Sequence, residues 1–283
     1  MQPDAKSQAE RISRAAAERF GTKLSIAPDW PGLEEIAREL EHRSHRKFAE
    51  RAVDPALLQL LFACAFSAPS KSDLQQADVI HVADAARRKA IVDTIPDMPW
   101  IMQAPVFLVF CANNRRIRQV GDWRSKAFAN EHLDHFMNAA VDAGLVMMNF
   151  IRAAEASGLG TCPISAVRNH PDAVSGALEL PEGIFPVAGL CVGYPAEAGR
   201  ITPRLGLHVT VHCDRYDESG LREKIDAYDR RRNAVLPYRR QRRAEQFGEA
   251  AFYGWSEDKA RQYAVPERAD FGAFIRRHGF SLK

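Results

Sequence analysis

The sequence is poor in cysteine and lacks the paired spacing that disulfide frameworks and cysteine zinc sites require. Its five cysteines are far apart and odd in number, and no two of them form a CxxC pair. Most lie in apolar runs such as Val109-Phe110-Cys111-Ala112, where a small buried side chain is the expected role. The cysteines therefore argue against a disulfide scaffold and predict a cytoplasmic protein with reduced thiols.

Several motifs of catalysis and membrane insertion are also missing. None of the 17 glycines belongs to a GxGxxG or GxxxxGK[ST] element, and neither GxSxG nor HExxH occurs. The nearest metal-like cluster, residues 131–135, is interpreted as a polar turn before a helix. The N-terminus lacks a signal-peptide pattern, and the apolar stretch at residues 143–151 is too short to span a bilayer. We therefore predict no metal site and no membrane segment, and expect any redox chemistry to need an organic cofactor.

Charge of one sign is not in large excess, since 39 Lys and Arg face 36 Asp and Glu for a net charge of +3. This balance argues against wholesale binding to nucleic acid. The 283 residues, 46% hydrophobic and 27% charged, fit one large globular domain with appendages. We expect a helical N-terminal extension over residues 1–30. Residues 31–283 would form the main domain, with a basic helical C-terminal segment.

Apolar periodicity indicates an α+β fold. Helical spacing predicts helices over residues 8–20, 84–94 and 131–156. The last of these is apolar nearly all round, which predicts a helix buried in the middle of the domain. Strand patterns occur at residues 79–82, 106–111, 185–192 and 207–211. Because strands and helices mix without a regular βαβ rhythm, an α+β domain around a central helix is the better prediction.

Four short segments carry groups suited to a flat, anionic cofactor. The first, residues 42–48, places several cations at the end of a predicted helix, where guanidinium groups can grip a phosphate. A second, residues 67–75, is dense in small polar residues that expose hydroxyl and N–H groups. Small side chains in a third, residues 160–169, allow close backbone approach to a flat ring. The fourth, residues 202–205, holds one arginine. Each segment taken alone also fits an ordinary solvated loop.

Together these segments resemble the nitroreductase family of flavin enzymes, and most closely its NADPH-dependent oxygen-insensitive nitroreductases and flavin reductases. The resemblance runs from about Leu40 to the C-terminus. Its motifs are the His-Arg-Ser-x-Arg opening at residues 42–46, the Pro-Ser-x-x-x-Leu-Gln loop at 69–75, and Gly-Leu-Cys-Val-Gly-Tyr-Pro-Ala at 189–196 leading to Pro-Arg-Leu at 203–205. The resemblance implies an α+β fold: a three-layer α/β/α sandwich with a mainly antiparallel sheet around a long central helix, in an intertwined homodimer with FMN at its interface.

The resemblance also implies which residues bind FMN. The phosphate, ribityl chain and pyrimidine edge would be contacted by His42, Arg43, Ser44 and Arg46, with Arg204 at the phosphate. The residues expected to reach the flavin from the partner chain are Pro69, Ser70, Lys71 and Ser72. Those expected under the ring, with backbone N–H groups near N5, are Pro163, Ile164, Ser165 and Ala166. Thr202 departs from the family habit of a second cation, and Lys71 is a candidate to replace that charge.

The implied reaction is ping-pong hydride transfer from NADPH through flavin N5 to nitroaromatics, quinones or similar flat oxidants, with no dedicated catalytic acid or base. NADPH rather than NADH is a hypothesis that rests on basic C-terminal residues. Arg230, Arg231 and Arg232, and the arginines of residues 239–243, could bind the extra 2′-phosphate. A solvated basic helix explains the same residues equally well.

Three alternatives stay open at this point. The protein could be a flavin reductase that supplies reduced FMN to a monooxygenase, or a flavin-binding protein without activity. From a different class, the arginine-rich C-terminal stretch could bind nucleic acid, although no aromatic platform or recognition helix accompanies it. The sequence leaves the physiological oxidant and the role of the N-terminal extension undecided.

Overall fold

The computed structural model describes residues 5–283. Its helices are α1 (Ala5–Phe20), α2 (Leu33–Leu40), α3 (Pro55–Phe66), α4 (Ala85–Asp93), α5 (Arg115–Trp123), α6 (Leu133–Ala156), α7 (Pro171–Ala177), α8 (Leu207–Thr210), α9 (Leu221–Val235), α10 (Ala244–Phe247), α11 (Trp255–Tyr263) and α12 (Phe271–Arg277). Its strands are β1 (Ala77–His81), β2 (Val106–Asn113), β3 (Gly160–Ile164) and β4 (Ile184–Gly193). Short 3₁₀ turns cover Lys71–Asp73, Pro99–Gln103 and Ser165–Arg168.

The chain folds into two compact units. The helical unit comprises the residues up to Arg43 together with Arg200–Glu267. The sheet unit comprises Ser44–Gly199 and Arg268–Lys283. The predicted division at residue 30 stays a prediction.

The sheet unit is built on one antiparallel sheet with the strand order β1-β2-β4-β3. Three of the predicted strands, residues 79–82, 106–111 and 185–192, are confirmed to within two residues at each end. A β-bulge between Phe110 and Cys111 interrupts the pairing of β2 with β4, where Pro186 stands opposite Cys111. Proline has no N–H to donate, so the bulge is where this central strand can accommodate it.

Helices cover both faces of this sheet. On one face, α3 and α6 pack against side chains such as Leu108 and Phe110, with Phe150 of α6 among them. On the other, α4 and α7 pack against Phe107 and Val109. Successive strand side chains point to opposite faces, which is why neighbouring residues of β2 belong to different cores. The predicted three-layer α/β/α arrangement is confirmed.

Helix α6 differs from its prediction on one face. An apolar stripe of α6 is exposed in the single chain; it consists of Leu133, Met137, Val141, Leu145 and Met148. These positions recur at helical spacing and therefore lie along one side of the helix. The opposite side is buried in the sheet unit. The prediction of a helix buried on all sides is thus wrong for the single chain, because apolarity by itself does not say which molecule covers a face.

The helical unit is held by its own small core and by ion pairs. Ile12 of α1 is buried against Leu33 and Ala37 of α2. Arg11 forms 2.7 Å ion pairs with Glu34 and with Glu41. These contacts hold α1 against α2.

The predicted strand at residues 207–211 is wrong, because this segment forms the short helix α8 and a following turn in which the Val211 N–H donates to the Leu207 carbonyl at 2.8 Å. A strand needs a ladder partner, and the described residues of the helical unit contain no strand. Over residues 5–283, no helix is long and apolar enough to cross a membrane.

Candidate functional site

In the helical unit, three of the predicted cofactor-binding residues are gathered around the end of α1. Arg19, near that end, is buried and donates hydrogen bonds to the backbone carbonyls of His42 and Thr202. The Arg204 N–H donates to the Arg19 carbonyl at 2.6 Å. The segment that ends with His42 and Arg43 is therefore joined, through one arginine, to the segment that carries Arg204.

The two predicted phosphate arginines of this unit have donors available. The Nε of Arg43 is buried and finds no hydrogen-bond partner among residues 5–283. Arg204 is exposed, and its Nη1 makes only a long 3.5 Å contact with the carbonyl of Pro203. A buried cationic donor without a partner costs free energy. A phosphate dianion would satisfy it, so the donor set fits the phosphate of FMN.

In the sheet unit, the predicted residues Ser44 and Arg46 lie beside strand β3. Ser44 forms a parallel bridge with Thr161, and the His45 N–H donates to the Thr161 carbonyl at 2.8 Å. Arg46 is exposed and close to Cys162: burial raises the pKa of the Cys162 thiol, and the charge of Arg46 opposes that rise. Residues 44 and 45 therefore lie alongside β3, the strand that leads into residues 163–166.

Gly160 permits this close approach. A Cβ at Gly160 would lie 2.8 Å from atoms of the His45 ring and of Pro195. Distances below 3 Å are closer than van der Waals contact allows, so a larger residue at position 160 would push His45 and Pro195 away from β3.

The four predicted residues under the ring divide by burial. Pro163 and Ser165 are exposed, whereas the side chains of Ile164 and Ala166 are buried in the hydrophobic core. Ile164 and Ala166 can therefore offer only backbone groups to a ligand. β3 is an edge strand whose Thr161 carbonyl already accepts from the His45 N–H, so backbone contacts with a ligand would have to come from the residues that follow Thr161.

The loop that carries Pro69, Ser70, Lys71 and Ser72 is organised by Asp142 of α6. This carboxylate is 2% exposed and accepts from the Ser70 hydroxyl at 2.6 Å and from the Lys71 N–H at 3.2 Å. The Gln76 N–H donates to it at 3.2 Å. Ser72 adopts a positive φ of 51°, a conformation that bends the chain sharply. The Ser70 hydroxyl is thus engaged within the chain, since it donates to Asp142 of α6 and accepts from the Gln75 N–H, while Lys71 and Ser72 are exposed.

This loop and residues 163–166 belong to opposite edges of the sheet. The loop leads into β1 at one edge, and residues 163–166 end β3 at the other edge. Three strand spacings of about 4.8 Å separate the two edge strands by roughly 14 Å. The sheet therefore keeps these two predicted parts of the site apart within one chain.

The predicted NADPH arginines are used largely within the helical unit. The guanidinium of Arg231 donates to the backbone carbonyls of Glu18, Arg19 and Arg204. Arg232 donates to the Leu236 carbonyl at 2.9 Å and lies 4.2 Å from the centre of the Tyr238 ring. Arg230 is exposed.

Two residues that organise the candidate site were missed by the sequence analysis. Arg19 lies in an ordinary amphipathic helix, so no local signal marks it. Asp142 did carry a signal: it is a carboxylate within an apolar helical run, and a buried carboxylate requires hydrogen-bond donors.

Comparison with protein families decides the identity. A model of the nitroreductase family matches residues 40–194, and a model of the C-terminal domain of the same family matches residues 202–283. The chain belongs to the nitroreductase family. The predicted family is confirmed, and the two matched regions cover all four segments from which it was predicted.

Relatives of this nitroreductase-family chain have described activities. It is 37% identical over 203 residues to the FMN reductase [NAD(P)H] of Bacillus subtilis, covering 70% of this chain and 81% of the relative. It is 34% identical over 189 residues to the oxygen-insensitive NADPH nitroreductase of Salmonella typhimurium, covering 66% and 76%. The NADPH:FMN oxidoreductase of Vibrio harveyi, solved with NAD+, superposes with a TM-score of 0.78 at 26% identity over 88% of this chain and 99% of that one. The likeness confirms the nitroreductase-like α+β fold.

Proposed function

We propose that this nitroreductase-family chain is an FMN-dependent NADPH oxidoreductase that reduces nitroaromatics, quinones or similar flat oxidants. Its relatives include an FMN reductase [NAD(P)H], an oxygen-insensitive NADPH nitroreductase and an NADPH-flavin oxidoreductase. Within this chain, the observation that carries the proposal is the gathering of His42, Arg43 and Arg204 around Arg19. In that arrangement, guanidinium N–H groups of Arg43 and Arg204 are available to a phosphate.

The cofactor is held by the chain's own cations and backbone. Arg43 and Arg204 would bind the FMN phosphate, with His42 beside them. Ser44 and Arg46 would lie at the ribityl chain and pyrimidine edge, and the edge of β3 at Pro163 and Ser165 would face the ring. FMN, when bound, takes a hydride from NADPH and gives it to the oxidant. Arg46 would stabilise the negative charge that develops at the pyrimidine edge, and no side chain is required as catalytic acid or base.

We propose a homodimer as the working form. The Pro69–Ser72 loop and residues 163–166 lie at opposite edges of the sheet, and this separation within one chain supports a flavin that receives the loop from a second chain. The exposed apolar stripe on α6 supplies a surface for that second chain, and exposed Leu60 and Phe66 of α3 add to the apolar surface. The cytoplasmic location stays a prediction.

For coenzyme preference, the exposed arginines of residues 239–243 support binding of the NADPH 2′-phosphate better than Arg231 and Arg232 do. Residues 238–245 line a hollow of about 520 Å³ in the helical unit, and Arg239 and Arg240 are exposed there. Arg231 and Arg232 already donate to backbone carbonyls. We therefore place the 2′-phosphate contact on Arg239 and Arg240, with Arg230 as the remaining exposed member of the predicted triplet.

The flavin reductase reading is the second candidate, favoured by the relatives named for reduction of FMN itself. Turnover with free FMN, compared with turnover on a nitroarene and on a quinone, separates it from the main proposal. Binding of nucleic acid is disfavoured for four of the C-terminal arginines, because their guanidinium donors are engaged within the helical unit. Arg231 and Arg232 bond to backbone carbonyls, Arg261 bonds to Glu257, and Arg242 pairs with Asp258.

The deciding experiment is the visible absorption spectrum of the purified protein under anaerobic conditions, before and after NADPH and then NADH. We expect a bound-flavin spectrum that bleaches faster with NADPH than with NADH. A double variant, Arg43→Gln with Arg204→Ala, should purify with less FMN. A colourless protein that free FMN cannot reconstitute would contradict the proposal.

A further inference from the structure

Arg19, at the C-terminal end of α1, is buried at 7% exposure and joins two distant segments of the helical unit. Its guanidinium donates to the carbonyl of Leu40 at 3.1 Å, to that of Thr202 at 3.3 Å, and to that of His42. The planar fork of arginine carries five N–H donors in fixed directions, so one side chain can satisfy three carbonyls at once.

The backbone of the same turn takes part as well. The Arg19 carbonyl accepts from the Arg204 N–H at 2.6 Å and from Arg231 at 3.4 Å. Arg231 also donates to the carbonyl of Arg204. Gly21 ends the helix with a φ of +71°, and a Cβ there would lie 2.8 Å from the Arg231 side chain. The sequence Arg19-Phe20-Gly21 therefore suits the approach of Arg231 to the end of α1.

Both segments held in this way carry proposed phosphate ligands. One ends with His42 and Arg43; the other contains Arg204, whose N–H and C=O are each occupied by Arg19 or Arg231. Fixing a loop's backbone on both sides restricts where its exposed side chain can reach, which is how supporting residues tune a binding site.

We propose that Arg19 is a positioning residue of the FMN phosphate site and that α1 is part of that site. The inference rests on the proposed function, because it takes Arg43 and Arg204 as the phosphate ligands. The nitroreductase family model begins at residue 40, so α1 lies outside the residues that the family model matches. The inference therefore gives a role in the cofactor site to a helix that precedes the residues matched by the family model.

The test compares two flavins that differ only in the phosphate. FMN and riboflavin are titrated into the full-length protein stripped of flavin, and the quenching of flavin fluorescence gives each Kd. The variants are Arg19→Ala, Arg19→Lys and Arg204→Ala, with Arg14→Ala as control, since Arg14 is an exposed arginine on the same helix. Tm of each stripped variant reports folding separately.

We expect Arg19→Ala to raise the Kd for FMN about tenfold or more, as happens when a residue that orients a metal ligand is lost, with the Kd for riboflavin changed by less than about twofold. Arg19→Lys keeps the charge but loses the planar fork, so it should fall between wild type and Arg19→Ala. Arg14→Ala should match wild type.

Two results overturn the inference: equal loss of FMN and riboflavin affinity, or an unchanged preference for FMN in both Arg19 variants while Arg204→Ala loses it. If Arg204→Ala also keeps the full preference for FMN, the proposed placement of the phosphate itself fails. Should Arg19→Ala not fold, Arg19→Lys is judged by the same ratio of the two Kd values.

Discussion

The Ser70 hydroxyl donates a 2.6 Å hydrogen bond to the buried carboxylate of Asp142. This bond ties the loop that follows α3 to the longest helix of the protein, and two backbone N–H groups from the loop region share the same carboxylate. The loop proposed to reach the flavin of a second chain is therefore shaped from within its own chain.

Replacing Asp142 should loosen this loop. Asp142→Ala leaves three donors without their acceptor, and we expect the free energy of unfolding to fall by roughly 3 kcal/mol. Asp142→Asn keeps one acceptor oxygen and should cost about half as much. Urea unfolding gives both values, and flavin content after gel filtration reports the loop. Asp134→Asn, at an exposed position of α6, is the control; an Asp142→Ala protein as stable as this control would contradict the network.

Replacing Arg46 should slow flavin reduction. We expect Arg46→Gln to reduce the rate of flavin bleaching by NADPH on the order of a hundredfold and to lower the flavin midpoint potential, because a cation near the ring edge stabilises developing negative charge. Stopped-flow absorbance and a redox titration measure the two effects. Lys47→Gln is a matched control, since Lys47 is exposed and pairs with Glu197. Equal rates in both variants would remove Arg46 from that role.

Coenzyme preference should depend on residues 239 and 240. The double substitution Arg239→Ala and Arg240→Ala should raise the KM for NADPH roughly tenfold, the effect of one charged hydrogen bond of about 1.5 kcal/mol, with little change for NADH. Steady-state kinetics with each coenzyme gives the comparison. Arg230→Ala, at an exposed position in the same unit, separately tests the sequence-based prediction that Arg230 binds the 2′-phosphate. If Arg230→Ala has the larger selective effect, the 2′-phosphate belongs with α9 instead.

Stability should fall with acid because of His135. Burial, with a smaller contribution from the charge of Arg118, lowers the pKa of His135 from 6.5 to about 4. Between these values the unfolded chain binds a proton that the folded chain does not, so the free energy of unfolding declines as the pH falls from about 6.5 to about 4.

Urea unfolding at pH 7 and pH 5 should therefore show a smaller decline for His135→Gln than for wild type. The pKa values of His81 and His278 are also lowered by burial, so part of the decline should persist. His208→Gln, at an exposed position of the helical unit, is the control. An undiminished decline in His135→Gln would exclude His135 as the source.

A charge on the α6 stripe should dissociate the dimer. Val141 is 48% exposed in the single chain, and Val141→Lys would place an ammonium group within an apolar interface. Light scattering after gel filtration should then report a monomer that has lost flavin. Val235→Lys makes the same change at a 58% exposed valine on α9 and should leave the dimer intact. Identical masses for both variants would place the dimer contact elsewhere.

Local pattern predicted the strands and the long helix well, because side-chain period and turn residues depend on near neighbours. Strand β2 and helix α6 were found to within two residues. The segment 207–211 was misassigned because its alternating pattern is local, while strand formation needs a partner ladder. The exposed face of α6 was misjudged for a similar reason. An apolar face can be covered by the same chain or by another molecule, and the local sequence does not distinguish the two.

The sequence by itself determined the family, the α+β fold class and the four segments of the candidate site, since these depend on motif order and periodicity. Only the tertiary structure decided which arginines have donors left for a ligand. Arg19 meets Thr202 across 183 positions of chain, and Arg231 meets Arg19 across 212. Contacts between residues so far apart follow from packing, so local sequence cannot distinguish an exposed arginine such as Arg204 from one whose guanidinium bonds to backbone carbonyls, such as Arg231.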